Sequence, residues 1–146
     1  MYDIVKSLHS YWAYLVLITL IIATANAIIK TLGNKEYSPN DFRKSLFALI
    51  ISHTQLLIAI ILYFISPRLQ LFSSLGMGEI MKNATNRLYL VEHPLINIIA
   101  IALITIGYSK HKNKLTSKSK LKTIAIFYSI ALVLILSRIP WSTWIG

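Results

Sequence analysis

The sequence predicts an all-α protein, an integral membrane four-helix bundle with both termini outside, and three observations carry that expectation. Of its 146 residues 55% are hydrophobic and only 14% charged, whereas a soluble domain carries about a quarter charged residues. The uncharged residues gather into four stretches that approach the length needed to cross a hydrocarbon core of roughly 30 Å, about 20 helical residues each. The 15 Lys and Arg residues fall unevenly between those stretches. Crossing the bilayer uses nearly the whole chain, so one membrane domain is expected and a separate catalytic domain is excluded.

The first span is expected at 8–31, between Lys6 and Lys30. Its run Tyr11–Ile22, followed by Ala25-Asn26-Ala27, has the apolar core and small-residue site of a secretory leader. Asp3 beside Lys6 leaves the preceding region without a positive excess, so the segment is read as a membrane helix. The second span, 46–66, is closed by Pro67, which has no N–H to give to a helix. The third, 88–109, is interrupted only by Glu92, His93 and Pro94. The fourth, 122–140, holds an uncharged part of about 15 residues, roughly 22 Å of helix. That is short for a crossing, so Lys122 and Arg138 are expected either to reach outward along their stems or to find a partner inside the bundle.

Orientation follows from the basic residues. Lys30, Lys35, Arg43 and Lys44 in the first loop, and Lys110, Lys112, Lys114, Lys118, Lys120 and Lys122 in the third, outnumber Lys6, Arg68, Lys82, Arg87 and Arg138 on the other side. Loops 32–45 and 110–121 are therefore cytoplasmic. The net charge of +10 is thereby a topology signal and an attraction to anionic lipid, and no nucleic-acid partner is expected. Tyr11, Trp12, Tyr14 and Tyr89, with Trp141 and Trp144, fit an interfacial aromatic belt. Gly76-Met77-Gly78 lacks the lysine and strand–helix setting of a phosphate loop and is expected to be a flexible turn.

A titratable ring in hydrocarbon is costly unless it is paired, wetted or bound to a metal, so histidines inside membrane spans are candidate site residues. The chain has no cysteine, which excludes thiolate metal sites and covalent haem attachment and leaves histidine as the available soft ligand. His111, flanked by Lys110 and Lys112, is expected to be solvated. The candidates are His9, His53 and His93. A rise of 1.5 Å per residue leaves an axial offset of several ångström for either His53–His93 or His9–His93, and helix tilt can absorb both. Each candidate begins or joins a stripe of small and polar residues that should face other helices: His93, Asn97 and Ala100; His9, Ala13, Val16, Ala23 and Ala27; and Ala48, Ser52, Gln55 and Ala59 beside His53. Pro94 is expected to kink the third helix and open space next to His93. No motif in the chain specifies an independent catalytic reaction.

The strings Leu8-His9-Ser10, Ser52-His53-Thr54-Gln55-Leu56-Leu57-Ile58 with Leu62-Tyr63-Phe64, Val91-Glu92-His93-Pro94, Ile106-Gly107-Tyr108 and Ile139-Pro140-Trp141 extend over nearly the whole chain. Together they resemble a family of small four-helix bacterial membrane proteins labelled cytochrome-b-like. Members often carry an Arg-Trp pair after the first histidine, where this chain has Tyr11-Trp12-Ala13-Tyr14. The resemblance implies a bacterial inner-membrane location and haem b. Two of His93, His53 and His9 would hold the iron, Asn97, Gln55 and Glu92 would contact the ligand imidazoles, and Arg138 and Arg87 would neutralise propionates. It further implies electron transfer with a quinone or a respiratory partner. Two other classes fit the same residues: a non-catalytic accessory subunit of a larger membrane complex, with histidines as interhelical hydrogen-bond donors, and a proton or small-solute carrier built on Glu92 and His93.

Overall fold

The computed structural model describes residues 1–144, and the side chains of Thr143 and Trp144 lie outside the description, so the interfacial placement expected of Trp144 does too. Four long helices dominate: α1 (Tyr2–Leu32), α2 (Pro39–Ile65), α3 (Ala84–Lys112) and α4 (Ser117–Ser137). All four are long and apolar enough to cross a membrane, which points to a multi-pass membrane protein. No strand occurs among the described residues.

The helices run beyond the uncharged stretches because polar residues cap them. Gly33 closes α1, and Asn34 makes the turn with φ 51°, a left-handed conformation that asparagine tolerates better than most residues. Ser38 and Pro39 start α2, and the Asp41 carboxylate accepts from the Ser38 backbone N–H at 2.7 Å, one half of a capping box. Thr116 accepts from the Ser119 N–H at 3.1 Å, so α4 gains a turn before Lys122 and reaches 21 residues. Lys122 is exposed on its flank.

α3 opens irregularly. Residues Leu88–Glu92 form a π-helical turn immediately before Pro94, which has no N–H for the carbonyl of Leu90. The Tyr63 hydroxyl donates to that carbonyl at 2.9 Å, so α2 supplies what the proline removes. Between α2 and α3 lie three short helical segments, Pro67–Gln70, Leu71–Ser74 and Gly76–Lys82, pinned by the fully buried Ile80. Gly76 takes a positive φ of 81°, but Gly78 lies within the helix that Gly76 starts. The expected flexible turn is instead a helix start.

Around the bundle the order is α1, α2, α3, α4, with α4 closing back on α1; the α2–α3 seam is the narrowest, and α1 stands diagonally opposite α3. The core alternates small and large residues: Leu20, Ala23 and Ala27 from α1, Ala48 from α2, Ala100 and Ile104 from α3, and Ile124, Tyr128 and Ala131 from α4. Small residues let backbones approach, which is how helices bind where lipid and side chains are equally apolar. Gly107 is the extreme case, since a Cβ placed there would lie 2.4 Å from the Phe127 Cβ. Two long-range hydrogen bonds fix the register of α2, from Trp12 Nε1 to the Ile51 carbonyl at 2.9 Å and from the Tyr128 hydroxyl to the Ser45 carbonyl at 2.8 Å.

Candidate functional site

At one end of the bundle all four helices contribute to a polar cluster around two imidazoles. His9 on α1 and His93 on α3 meet across the diagonal with ring centroids 6.1 Å apart and planes at 83°. Both are half-buried. His53 does not join them. Its Nε2 lies 2.9 Å from the Thr105 hydroxyl on α3, deeper in the α2–α3 seam.

Hydrogen-bond chemistry assigns the rings. The His93 Nδ1 faces the backbone oxygen of Arg138 at 2.8 Å, and a carbonyl only accepts, so Nδ1 carries the proton and Nε2 keeps its lone pair. Asn97, one turn along α3, donates to the His93 carbonyl at 2.6 Å and rests 3.3 Å from Nδ1, steadying the ring. His53 is set the opposite way. Thr105 spends its hydroxyl proton on the Ile101 carbonyl at 2.8 Å, so the His53 Nε2 must be the donor to Thr105. A nitrogen so used is closed to other ligands.

His9 is less settled. Its Nδ1 is buried without a hydrogen-bond partner, as are the Gln55 Oε1 and the Ser52 hydroxyl one turn away on α2. The Gln55 amide nitrogen donates to the His9 backbone carbonyl at 2.9 Å, so α2 holds α1 at this level.

Glu92 bridges the arginines that the sequence placed nearby. Its Oε2 accepts from Arg87 Nε at 2.9 Å and its Oε1 lies 3.7 Å from Arg138 Nε. Arg138 also donates to the Ser137 carbonyl at 2.9 Å. Two guanidinium groups against one carboxylate leave an excess positive charge beside His93. Arg68 stacks over the Tyr89 ring at 4.2 Å and donates to Asn86.

The opposite end holds a second polar cluster that the sequence did not disclose. His111 is not solvated: it is fully buried. Its Nδ1 donates to the Tyr108 carbonyl one turn back, and its Nε2 accepts from the Tyr37 hydroxyl at 2.9 Å. Phe42 stacks on the ring, and Lys120 donates to the His111 carbonyl at 3.3 Å. Flanking lysines suggested water, but Tyr108 and the aromatic Tyr37 and Phe42 cover the ring. Nearby, Asp41 accepts from Lys30 at 2.5 Å and Asn26 at 2.8 Å, while Lys44 donates to Asn26 at 3.1 Å. Burial, then the charge of Asp41 and then Tyr108, push the Tyr37 hydroxyl up to about 12, so it remains a donor to His111.

Among the described residues no group of three or more His, Cys, Asp or Glu is placed to hold a metal ion. Comparison of the chain with family models, with curated protein sequences and with solved structures returns no match. The likeness to cytochrome-b-like proteins therefore stands on the residue pattern alone.

Proposed function

We propose that this protein is a four-helix bundle of the bacterial inner membrane that binds haem b between His9 and His93 and carries electrons to or from a quinone or a respiratory partner. The approach of those two rings is the observation that carries the reading. With centroids 6.1 Å apart, the two imidazoles are near enough that both could hold one haem iron, each through a ring nitrogen. They come from facing helices of a bundle, a usual setting for a cofactor.

Haem b held by two neutral imidazoles supplies a one-electron couple whose potential depends on the hydrogen bonds and burial around it. The protein's own part is to orient and to shield. The Arg138 carbonyl and Asn97 hold His93 with its Nε2 lone pair free, the arrangement second-shell acceptors impose on ligand imidazoles. The His9 Nδ1 and the Gln55 Oε1, both buried without partners, offer the other ring an acceptor of the same kind. The excess charge of Arg87 and Arg138 over Glu92 suits the carboxylates of a porphyrin. The bond of the His53 Nε2 to Thr105, on the α2–α3 seam, supports leaving His53 out of the pair.

The termini and the segment joining α2 to α3 face outward in this account, and the loops bearing Lys35 and Lys114 face the cytoplasm, following the positive-inside rule. Glu92 is tied to two arginines, so the carrier reading gains no support. The test is a reduced-minus-oxidised absorption spectrum, with a pyridine haemochrome assay, of protein purified in mild detergent from haem-replete cells. The expected result is a b-type spectrum near one haem per chain. A colourless protein would overturn the proposal and favour an accessory subunit of a larger membrane complex.

A further inference from the structure

The two imidazoles of the pair are not equally explained. His93 has a carbonyl on its Nδ1, whereas the His9 Nδ1 is buried with no partner. Buried polar atoms without partners are rare, and each one calls for a cause. The complementary orphan is adjacent. Gln55 Oε1 is also buried and unpartnered, and the Gln55 side chain lies against the His9 ring.

The amide cannot be turned round to remove the problem. Gln55 Nε2 donates to the His9 carbonyl at 2.9 Å, and exchanging the amide atoms would place two acceptors against each other. Oε1 is thus fixed as an acceptor in search of a donor. The His9 Nδ1 becomes that donor if it carries the ring proton. The Ser52 hydroxyl, a third orphan one turn along the same face of α2, can serve the remaining lone pair or hold a water that joins them.

From this geometry we infer that Gln55 is a positioning residue: one end of its amide holds the His9 backbone and the other takes the His9 Nδ1 proton, directly or through one buried water. The consequence is symmetry of chemistry across the diagonal. Arg138 sets His93 as the Nδ1–H tautomer, Gln55 sets His9 as the same tautomer, and both rings keep the Nε2 lone pair for a shared electrophile. The inference rests on the proposed pair for its functional meaning, but the tautomer of His9 is a property of the polypeptide and stands without haem.

Ring nitrogen-15 NMR of histidine-labelled protein in detergent, freed of haem where haem is present so that no iron fixes the ring proton, reads the tautomer directly. Wild-type protein should show His9 and His93 each as a single Nδ1–H tautomer. Gln55→Leu should release His9 into a mixture of tautomers and leave His93 unchanged, which also certifies the fold. Gln55→Glu gives up the bond to the His9 carbonyl but keeps an acceptor for the ring, and should keep Nδ1–H at His9 with a stronger hydrogen bond, seen as a downfield Nδ1 proton shift. If the protein carries haem, the midpoint potential should fall from Gln55→Leu through wild type to Gln55→Glu, since a stronger acceptor makes the axial imidazole a better donor. A purely structural Gln55 would not produce that order. An Nε2–H tautomer at His9 in the wild type, or a His9 signal indifferent to Gln55→Leu, would overturn the inference. A colourless protein that still shows the Nδ1–H tautomer would remove the haem proposal and leave this one standing.

Discussion

Replacing Gly107 with alanine adds one methyl group at the α3–α4 seam, where the new Cβ would lie 2.4 Å from the Phe127 Cβ and 2.9 Å from its Cγ. Ordinary contact begins near 3.4 Å. The obstructing atom is a Cβ, which no rotamer change can move away, so the helices must part by roughly 1 Å, a gap that forfeits about a quarter to a half of each affected dispersion contact. Ile104, Tyr108, Ile124 and Tyr128, all buried, share the consequences. Overpacking of this kind costs about 1–3 kcal/mol, and alanine returns about 1 kcal/mol through its better helix propensity. The difference is a loss of about 0–2 kcal/mol, and the 2.4 Å approach to a Cβ that cannot rotate away puts it in the upper half of that range, roughly five- to thirtyfold in the unfolding equilibrium. Gly78→Ala is the matched control, because a Cβ there meets nothing within 4 Å and the residue is helical. Unfolding in mixed SDS and mild detergent, followed by circular dichroism, should show Gly107→Ala destabilised and Gly78→Ala unchanged or slightly more stable. A Gly107→Ala protein as stable as the wild type would show that α3 and α4 do not pack in this register.

His111→Phe should cost about 1–3 kcal/mol in the same assay, because it leaves the half-buried Tyr37 hydroxyl without its acceptor and takes the imidazole donor from the Tyr108 carbonyl; adding Tyr37→Phe should recover part of that loss, and strict additivity would contradict the coupling. Tyr37 is raised in the folded protein from its ordinary 10 to about 12, so its contribution is complete below pH 10 and is lost as pH rises toward 12. Stability of the wild type should therefore fall over that interval more steeply than that of Tyr37→Phe, and parallel curves would argue against the shielding of this hydroxyl. The absence of cysteine makes single-cysteine mapping direct: an impermeant thiol reagent added to intact cells should label Glu79→Cys, and should label Lys35→Cys and Lys114→Cys only after permeabilisation. The reverse pattern would invert the proposed orientation.

What the sequence discloses here follows from periodicity and charge. Long apolar stretches separated by basic loops mark four helices because hydrocarbon length sets a scale that composition alone can meet. The small-residue stripes Val16–Ala23–Ala27 and Ala48–Ser52–Gln55 turn inward, as helical spacing requires. Pairing is a different matter. An axial ruler left His9 and His53 as equal partners for His93, since rise per residue says nothing about which helices stand on the diagonal. The arrangement of α1 opposite α3, and the Thr105 bond that holds His53, separate the two in space. His111 is buried although lysines flank it, because local charge does not set exposure. Its cover comes from Tyr37 and Phe42, more than sixty residues away in sequence, and only the i−3 Tyr108 hinted at a local partner. The backbone bonds of Tyr63 and Gln55 are equally hidden, because each serves a carbonyl on another helix and such a bond leaves no trace in side-chain pattern, although the sequence does mark Gln55 as inward-facing and as a contact for a ligand imidazole.

The pairing of His9 with His93 is the claim on which the functional account turns, and haem content per chain in three variants measures it most directly. His9→Ala and His93→Ala should each purify with little or no haem and no low-spin b-type spectrum, while His53→Ala should keep wild-type haem content because its ring is committed to Thr105. Loss of haem from His53→Ala with retention in His9→Ala would contradict the account and transfer the site to the α2–α3 seam.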